Sequence, residues 1–317
     1  MIEDNNIYYN IRIKGSDTND NRARFNVNSI QTVVDNPLNY ELAVERFKVP
    51  TTVIPIFIWK GDDYFRITMT YDNSTVVQPL LFIPNTNNQL YGNAIWNYQE
   101  FVDIINVALS SAYSALKLLE PLMPPTEAPF ITYNSDTQLL TFNIEQVYSN
   151  TTKVYLSEFL YLLVVSFQNY NLKLPSGDYI FQMLCKDNRN NSTIINGKNY
   201  YSTKQEYSTL FLWNDFTTLL FETNLIPVNP EYLDSQNNDT RRILSDFQPL
   251  EGLNDRVSIQ YYPSGPLRFY DLTNNTALSD MDLNIYWEDK TGTLYPLYLT
   301  DDDVLTMKIL FKKKYKY

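Results

Sequence analysis

The sequence predicts a mainly β protein: a jelly-roll β-sandwich with an inserted middle region that carries one good α-helix and extra strands. Three observations predict it. Short alternating apolar segments, bounded by Asn, Asp, Pro and Gly, dominate the chain. They recur at both ends, and neither end could cover its own apolar face alone, so strands distant in sequence must pair. Between them lies a run whose apolar residues follow helical spacing.

At the start, NIYYNIRIK alternates through Ile7, Tyr9, Ile11 and Ile13, RFNVN follows, and ELAVERFKV runs from Glu41 to Val49 before Pro50. FRITMTY puts Phe65, Ile67, Met69 and Tyr71 on one face, and the turn DNST leads into VVQPLLFI. These supply roughly six strands before residue 84. From Tyr98 to Leu119 the positions Phe101, Ile105, Ala108, Leu109, Ala112, Leu116 and Leu119 predict a helix over about residues 97–120. Asn97 suits its N-cap with Glu100 three residues on, and Pro121 ends it.

PLMPPTEAP then reads as a stiff linker, and FITYNSDTQLLTFNI as a hairpin turning at NSDT. Ser157 is expected to cap a short buried helix reaching Phe167, with strands at DYIFQML, STLFLW and TTLLFET. Residues 229–254 are polar and poor in pattern, the signature of a surface loop or a connection. VSIQYY, LRFYDL, DLNIYWED, LYPLYL and LTMKILF return to the strand idiom, with DKTGT as a hairpin signal. The expected division is a sandwich from residues 1–84 and 253–317, with 85–252 inserted and long enough to form a second β domain.

Composition narrows the function. The 317 residues contain no histidine, one cysteine, 26 tyrosines and 17 phenylalanines. An AT-rich genome would thin histidine by codon bias alone, but the chemical consequence is the same. Ser-His-Asp triads, Cys-His pairs and imidazole metal cages are excluded, so a non-enzymatic protein without a cofactor is expected. The net charge of −11 argues against a dedicated nucleic-acid binder. A single cysteine fits a reducing compartment, and MIEDNNIYYN lacks the features of a signal peptide.

Candidate chemistry is sparse. Asp301, Asp302 and Asp303 would suit a hard cation, yet no EF-hand spacing supports one, and a solvated turn is the plainer reading. Cys185 ends an apolar strand and reads as buried and inert. Trp59, Trp96, Trp213 and Trp287 suit core and interface packing better than a sugar platform. The strongest asymmetry is the basic C-terminus, Lys308, Lys312, Lys313, Lys314 and Lys316, with Tyr315 and Tyr317. It suits a contact with nucleic acid, an internal membrane or an acidic neighbouring subunit, or else a solvated end that blunts strand-edge aggregation.

Three segments together carry a resemblance: YELAVERFKVPTTVIPIF, then YQEFVDIINVALSSAYSAL with the hairpin ITYNSDTQLLTFNI, then DLNIYWEDKTGTLYPLYL with LTMKILFKKK. Their order resembles the minor capsid (penton, or vertex) proteins of virophages, Polinton-like viruses and related double-stranded DNA viruses. The resemblance implies a single jelly roll with an insertion, five copies closing each icosahedral vertex, and contacts with surrounding major capsid trimers. It implies residence in the virion after assembly inside the host cell. Three alternatives stay open: a compact double jelly roll forming trimers of a major capsid subunit, a receptor- or carbohydrate-binding β module, and a glycoside hydrolase with two carboxylates facing across a cleft.

Overall fold

Alternation along the first strand sets the pattern for the whole molecule: Ile11 and Ile13 are buried while Arg12 and Lys14 are exposed. The computed structural model describes residues 6–17, 20–28, 31–61, 64–83, 91–124, 127–147, 151–167, 169–173, 179–183, 191–234, 239–249 and 258–314. The chain divides into two units, residues 1–54 with 216–317 and residues 55–215.

Unit 1 opens with β1 (Ile7–Lys14), β2 (Arg24–Asn28) and β3 (Tyr40–Pro50). Unit 2 follows with β4 (Phe57–Ile58), β5 (Arg66–Tyr71), β6 (Ser74–Pro79), β7 (Ala94–Ile95) and the helix α1 (Tyr98–Leu119). Next come β8 (Phe130–Asn134), β9 (Leu139–Glu145), β10 (Thr152–Ser157) and α2 (Glu158–Leu163). The unit ends with β11 (Asn169–Lys173), β12 (Tyr179–Met183), β13 (Asn191–Ile195), β14 (Lys198–Lys204) and α3 (Leu210–Trp213). Unit 1 resumes with β15 (Phe216–Glu222), β16 (Glu231–Asp234), β17 (Asp239–Arg241), β18 (Ile243–Phe247) and β19 (Ser258–Tyr261). It closes with β20 (Tyr270–Asp271), β21 (Asp280–Asp289), β22 (Leu294–Pro296) and β23 (Val304–Lys313).

Unit 1 is the jelly roll. One sheet runs β1-β23-β3-β19 and the other β18-β15-β21-β2, with β20 and β22 as short additions to β3 and β21. Terminal strands pair with early ones, Ile7 with Phe311 and Phe25 with Leu283, because each half supplies only part of either sheet. The two inner faces meet through Phe47, whose ring lies 4.6 Å from Phe221 and 5.4 Å from Phe247. Unit 2 enters the chain between β3 and β15.

Unit 2 is built around α1. Asn97 accepts the Glu100 amide at 2.8 Å, and the Glu100 carboxylate accepts the Trp96 amide at 3.1 Å, so both ends of the predicted capping pair work. The helix packs against β5, β6 and β8 through a fully buried stripe that includes Phe101, Ile105, Leu109 and Leu116. A five-stranded sheet (β11-β12-β10-β5-β6), a four-stranded sheet (β13-β14-β9-β8) and the pair β4-β7 complete the unit. Among the described residues these do not repeat the four-and-four order of unit 1.

Four expectations are corrected. The unit boundaries fall at 54/55 and 215/216 rather than at 84/85 and 252/253. β5 and β6 join unit 2 because β5 pairs with β10, Thr68 opposite Tyr155, and β15 and β18 belong to the jelly roll. The 229–254 stretch, read as a loop, contains β16, β17 and the sheet strand β18. STLFLW forms the short helix α3, held where Thr209 Oγ1 and Trp213 Nε1 both donate to the Leu163 carbonyl, at 2.6 and 2.7 Å. The second helix stops at Leu163 and leaves Phe159 and Leu162 half exposed, and Ser157 does not cap it. The Ser157 hydroxyl instead accepts the Arg66 amide at 3.0 Å and donates to the Tyr64 carbonyl at 3.2 Å.

Candidate functional site

The lysine-rich terminus is a strand before it is a tail. Alternation in β23 buries Met307, Ile309 and Phe311, and the strand is hydrogen-bonded on both sides, to β1 and to β3. An interior strand needs no lysines to guard an edge, so the edge-blunting reading does not apply to its described residues.

Most of these lysines are engaged within unit 1. A register shift between Lys308 and Ile309 leaves Glu45 as the extra residue on β3, and its carboxylate pairs with Lys308 at 2.7 Å. The same ammonium lies 4.3 Å from the centre of the Tyr8 ring. Lys312 pairs with Glu41, its register partner, at 3.1 Å and lies 4.6 Å from the Phe269 ring centre. Lys314 pairs with Asp271 at 2.5 Å, and its amide donates to the Asn39 carbonyl at 2.7 Å. Lys313 is exposed opposite Tyr40. Lys316 lies outside the described residues, as does Cys185.

The other candidates resolve into architecture. The Thr300 amide and hydroxyl both donate to the Asp303 carboxylate, and the Asp303 amide donates back to the Thr300 carbonyl, which makes 300–303 a self-closed turn. Trp59, Trp213 and Trp287 are buried in the cores. Trp96 is partly exposed and lines a cavity of about 600 Å³ in unit 2, with Leu81, Ile83, Glu100, Asp103 and Val107. Its two carboxylates stand one turn apart on the same helix, not across from each other. Glu100 serves the cap, and Asp103 accepts the Gln99 amide at 2.7 Å.

Two carboxylates that sequence reading passed over hold the fold locally. Asp282 accepts from the Thr223 hydroxyl at 2.6 Å and from the Leu225 and Asn224 amides at 2.8 and 2.9 Å, which fixes the turn after β15. In unit 2, Glu127 accepts the Tyr200 hydroxyl at 2.7 Å and pairs with Lys198 at 3.1 Å. The Tyr200 hydrogen bond, then the lysine, hold the Glu127 carboxyl below the usual range, while burial pushes the Tyr200 phenol up. Nothing in the spacing of these residues marks them, because their partners are up to 73 positions away.

The comparisons with known proteins agree on one group. The family model described as Sputnik minor capsid protein V18/19 matches residues 68–313. Structural protein V19 of Sputnik virophage is 35% identical over 123 residues, covering 36% of this chain and 56% of that protein. The chain thus spans little more than half the length of that relative. Protein V18 of the same virophage is 28% identical over 143 residues, covering 36% of this chain and 86% of V18. A chain of the Sputnik virophage particle seen by cryo-EM superposes with a TM-score of 0.78 at 26% identity, covering 98% of each chain. The mavirus penton protein superposes with a TM-score of 0.75, covering 97% of this chain and 99% of that one; at 18% identity this likeness shows the fold. The jelly roll with a unit inserted between β3 and β15 therefore has its counterpart in virus particles, and the chain belongs to the Sputnik minor capsid protein V18/19 family.

Proposed function

We propose that this minor capsid protein is the penton: a non-enzymatic subunit of which five copies close each icosahedral vertex. The observation that carries the reading is the end-to-end likeness to the mavirus penton protein, insertion included. Ring closure follows if one flank of the sandwich meets a different flank of the next copy through a rotation of a fifth of a turn. An interface of that permanence is expected to bury more than ~2,000 Å². The outer side of the ring would meet major capsid trimers, and assembly would take place inside the host cell. Lys308, Lys312 and Lys314 already have partners, so Lys313 is the described tail residue best placed to reach a neighbouring subunit. Native mass spectrometry of the purified chain tests the stoichiometry. Five copies support the penton, whereas a stable trimer returns the major capsid alternative and overturns it.

A further inference from the structure

The outward face of the sheet β1-β23-β3-β19 gathers cations. Ile11, Ile13, Leu305, Met307, Phe47 and Val49 point into the sandwich, so Arg12, Lys14, Thr306, Lys308, Arg46 and Lys48 point out. Register aligns them into two adjacent rows across the strands, Arg12–Thr306–Lys48–Gln260 and Asn10–Lys308–Arg46. Steps along a row are ~4.8 Å, and successive outward residues on one strand stand ~6.8 Å apart. Every side chain in both rows carries an N–H or O–H donor.

Charge here is in excess of structural need. Lys308 is matched by Glu45, but Arg12, Lys14, Arg46 and Lys48 are exposed and form no ion pair among the described residues. Such a cluster is out of keeping with a net charge of −11. At the Lys14 end the band is bounded by Asp17 and by the turn 300–303, whose Thr300 carbonyl sits against Gly15.

We propose that this face binds the phosphate backbone of a nucleic acid. A repeating anion lying across the strands would meet Arg12 and Lys48 in one row and Arg46 in the next, with Thr306, Gln260 and Asn10 supplying further donors. A bilayer fits less well, since Tyr8 is the one large apolar side chain exposed on these four strands and its ring lies beside Lys308. Among the described residues the face offers strand-borne donors and no projecting element to read base edges, so binding is expected to be independent of sequence and strongly dependent on salt. This inference stands on unit 1 alone and does not require the vertex reading.

Fluorescence anisotropy of the full chain with unrelated DNA duplexes of about 30 base pairs, from about 20 to about 200 mM salt, tests it. The expected result is equal affinity for each duplex and a log–log salt slope of about −3. Arg12→Gln with Lys48→Gln should weaken binding at least about tenfold, and adding Arg46→Gln should abolish it. Lys153→Gln with Lys204→Gln, exposed lysines of unit 2, should leave it unchanged. Circular dichroism establishes that each variant is folded, and Arg12→Lys with Arg46→Lys, which keeps the charges, should bind as the parent does. The proposal is overturned by absence of binding at the lowest salt, by indifference to the row substitutions, or by their acting only on phosphatidylserine vesicles or on self-association.

Discussion

Gly15 follows the last residue of β1 where two backbones touch: a Cβ there would lie 2.1 Å from the Thr300 carbonyl oxygen and 2.7 Å from that of Leu299. Neither neighbour is a side chain that can swing aside. Gly15→Ala should therefore destabilise the chain by about 3 kcal/mol, read as a lower urea midpoint at unchanged m-value. A different logic governs Glu127. Its folded-state pKa lies below the ordinary carboxylate value of 4.5, so its contribution is present above that value and fades as pH falls through the lowered one. Glu127→Gln should lower stability most near neutrality, where the charged carboxylate holds Tyr200 and Lys198, and should converge with the parent as pH falls below 4.5, measured by urea unfolding. Neither role could be read in the sequence. A glycine needed for close approach looks like any turn glycine, and Glu127 finds Tyr200 only through the folded sheet.

At the scale of elements, legibility tracked local self-sufficiency. The helix α1 was readable, apart from Leu119, which is exposed, because its cap, its stripe and its terminating proline lie within one continuous segment. The hairpin β8-β9 was readable for the same reason, its turn closed by Asn134 accepting the Thr137 amide at 2.8 Å. α3 was not. A four-residue apolar run fits either a strand or a helical turn, and what decides it is the Leu163 carbonyl, 46 and 50 positions away from its two donors. β18 hid because a bulge leaves the adjacent Ile243 and Leu244 both buried, and Ser245 and Asp246 then separate them from Phe247, so no alternation shows. α1 also carries a prediction. Phe101 is fully buried, with ring centres of Phe57 and Trp213 at 5.1 and 4.9 Å. Phe101→Ala should destabilise unit 2 by about 4 kcal/mol, seen in thermal unfolding, whereas Val107→Ala on the exposed face of the same helix should shift stability by less than about 0.5 kcal/mol.

At the scale of the whole molecule, the sequence announced a sandwich whose two ends pair, and it missed where the insertion begins. FRITMTY and VVQPLLFI alternate as cleanly as any jelly-roll strand, and alternation says that a strand has two faces, not which sheet receives it. The pairing of Met69 with Val154 and the packing of α1 on β5 assign it to unit 2. The corrected boundaries make a test available. All eight principal jelly-roll strands lie within residues 1–54 and 216–317, and unit 2 has its own core around Phe101 and Trp213. Replacing residues 55–215 by a short Gly/Ser linker should therefore leave a β-sandwich that unfolds in one cooperative transition by calorimetry. If the flanks of the sandwich make the ring, this shortened chain keeps the oligomeric state of the full one in native mass spectrometry. A folded monomer would instead move the subunit interface onto the inserted unit, and the flank-to-flank account of ring closure would have to be abandoned.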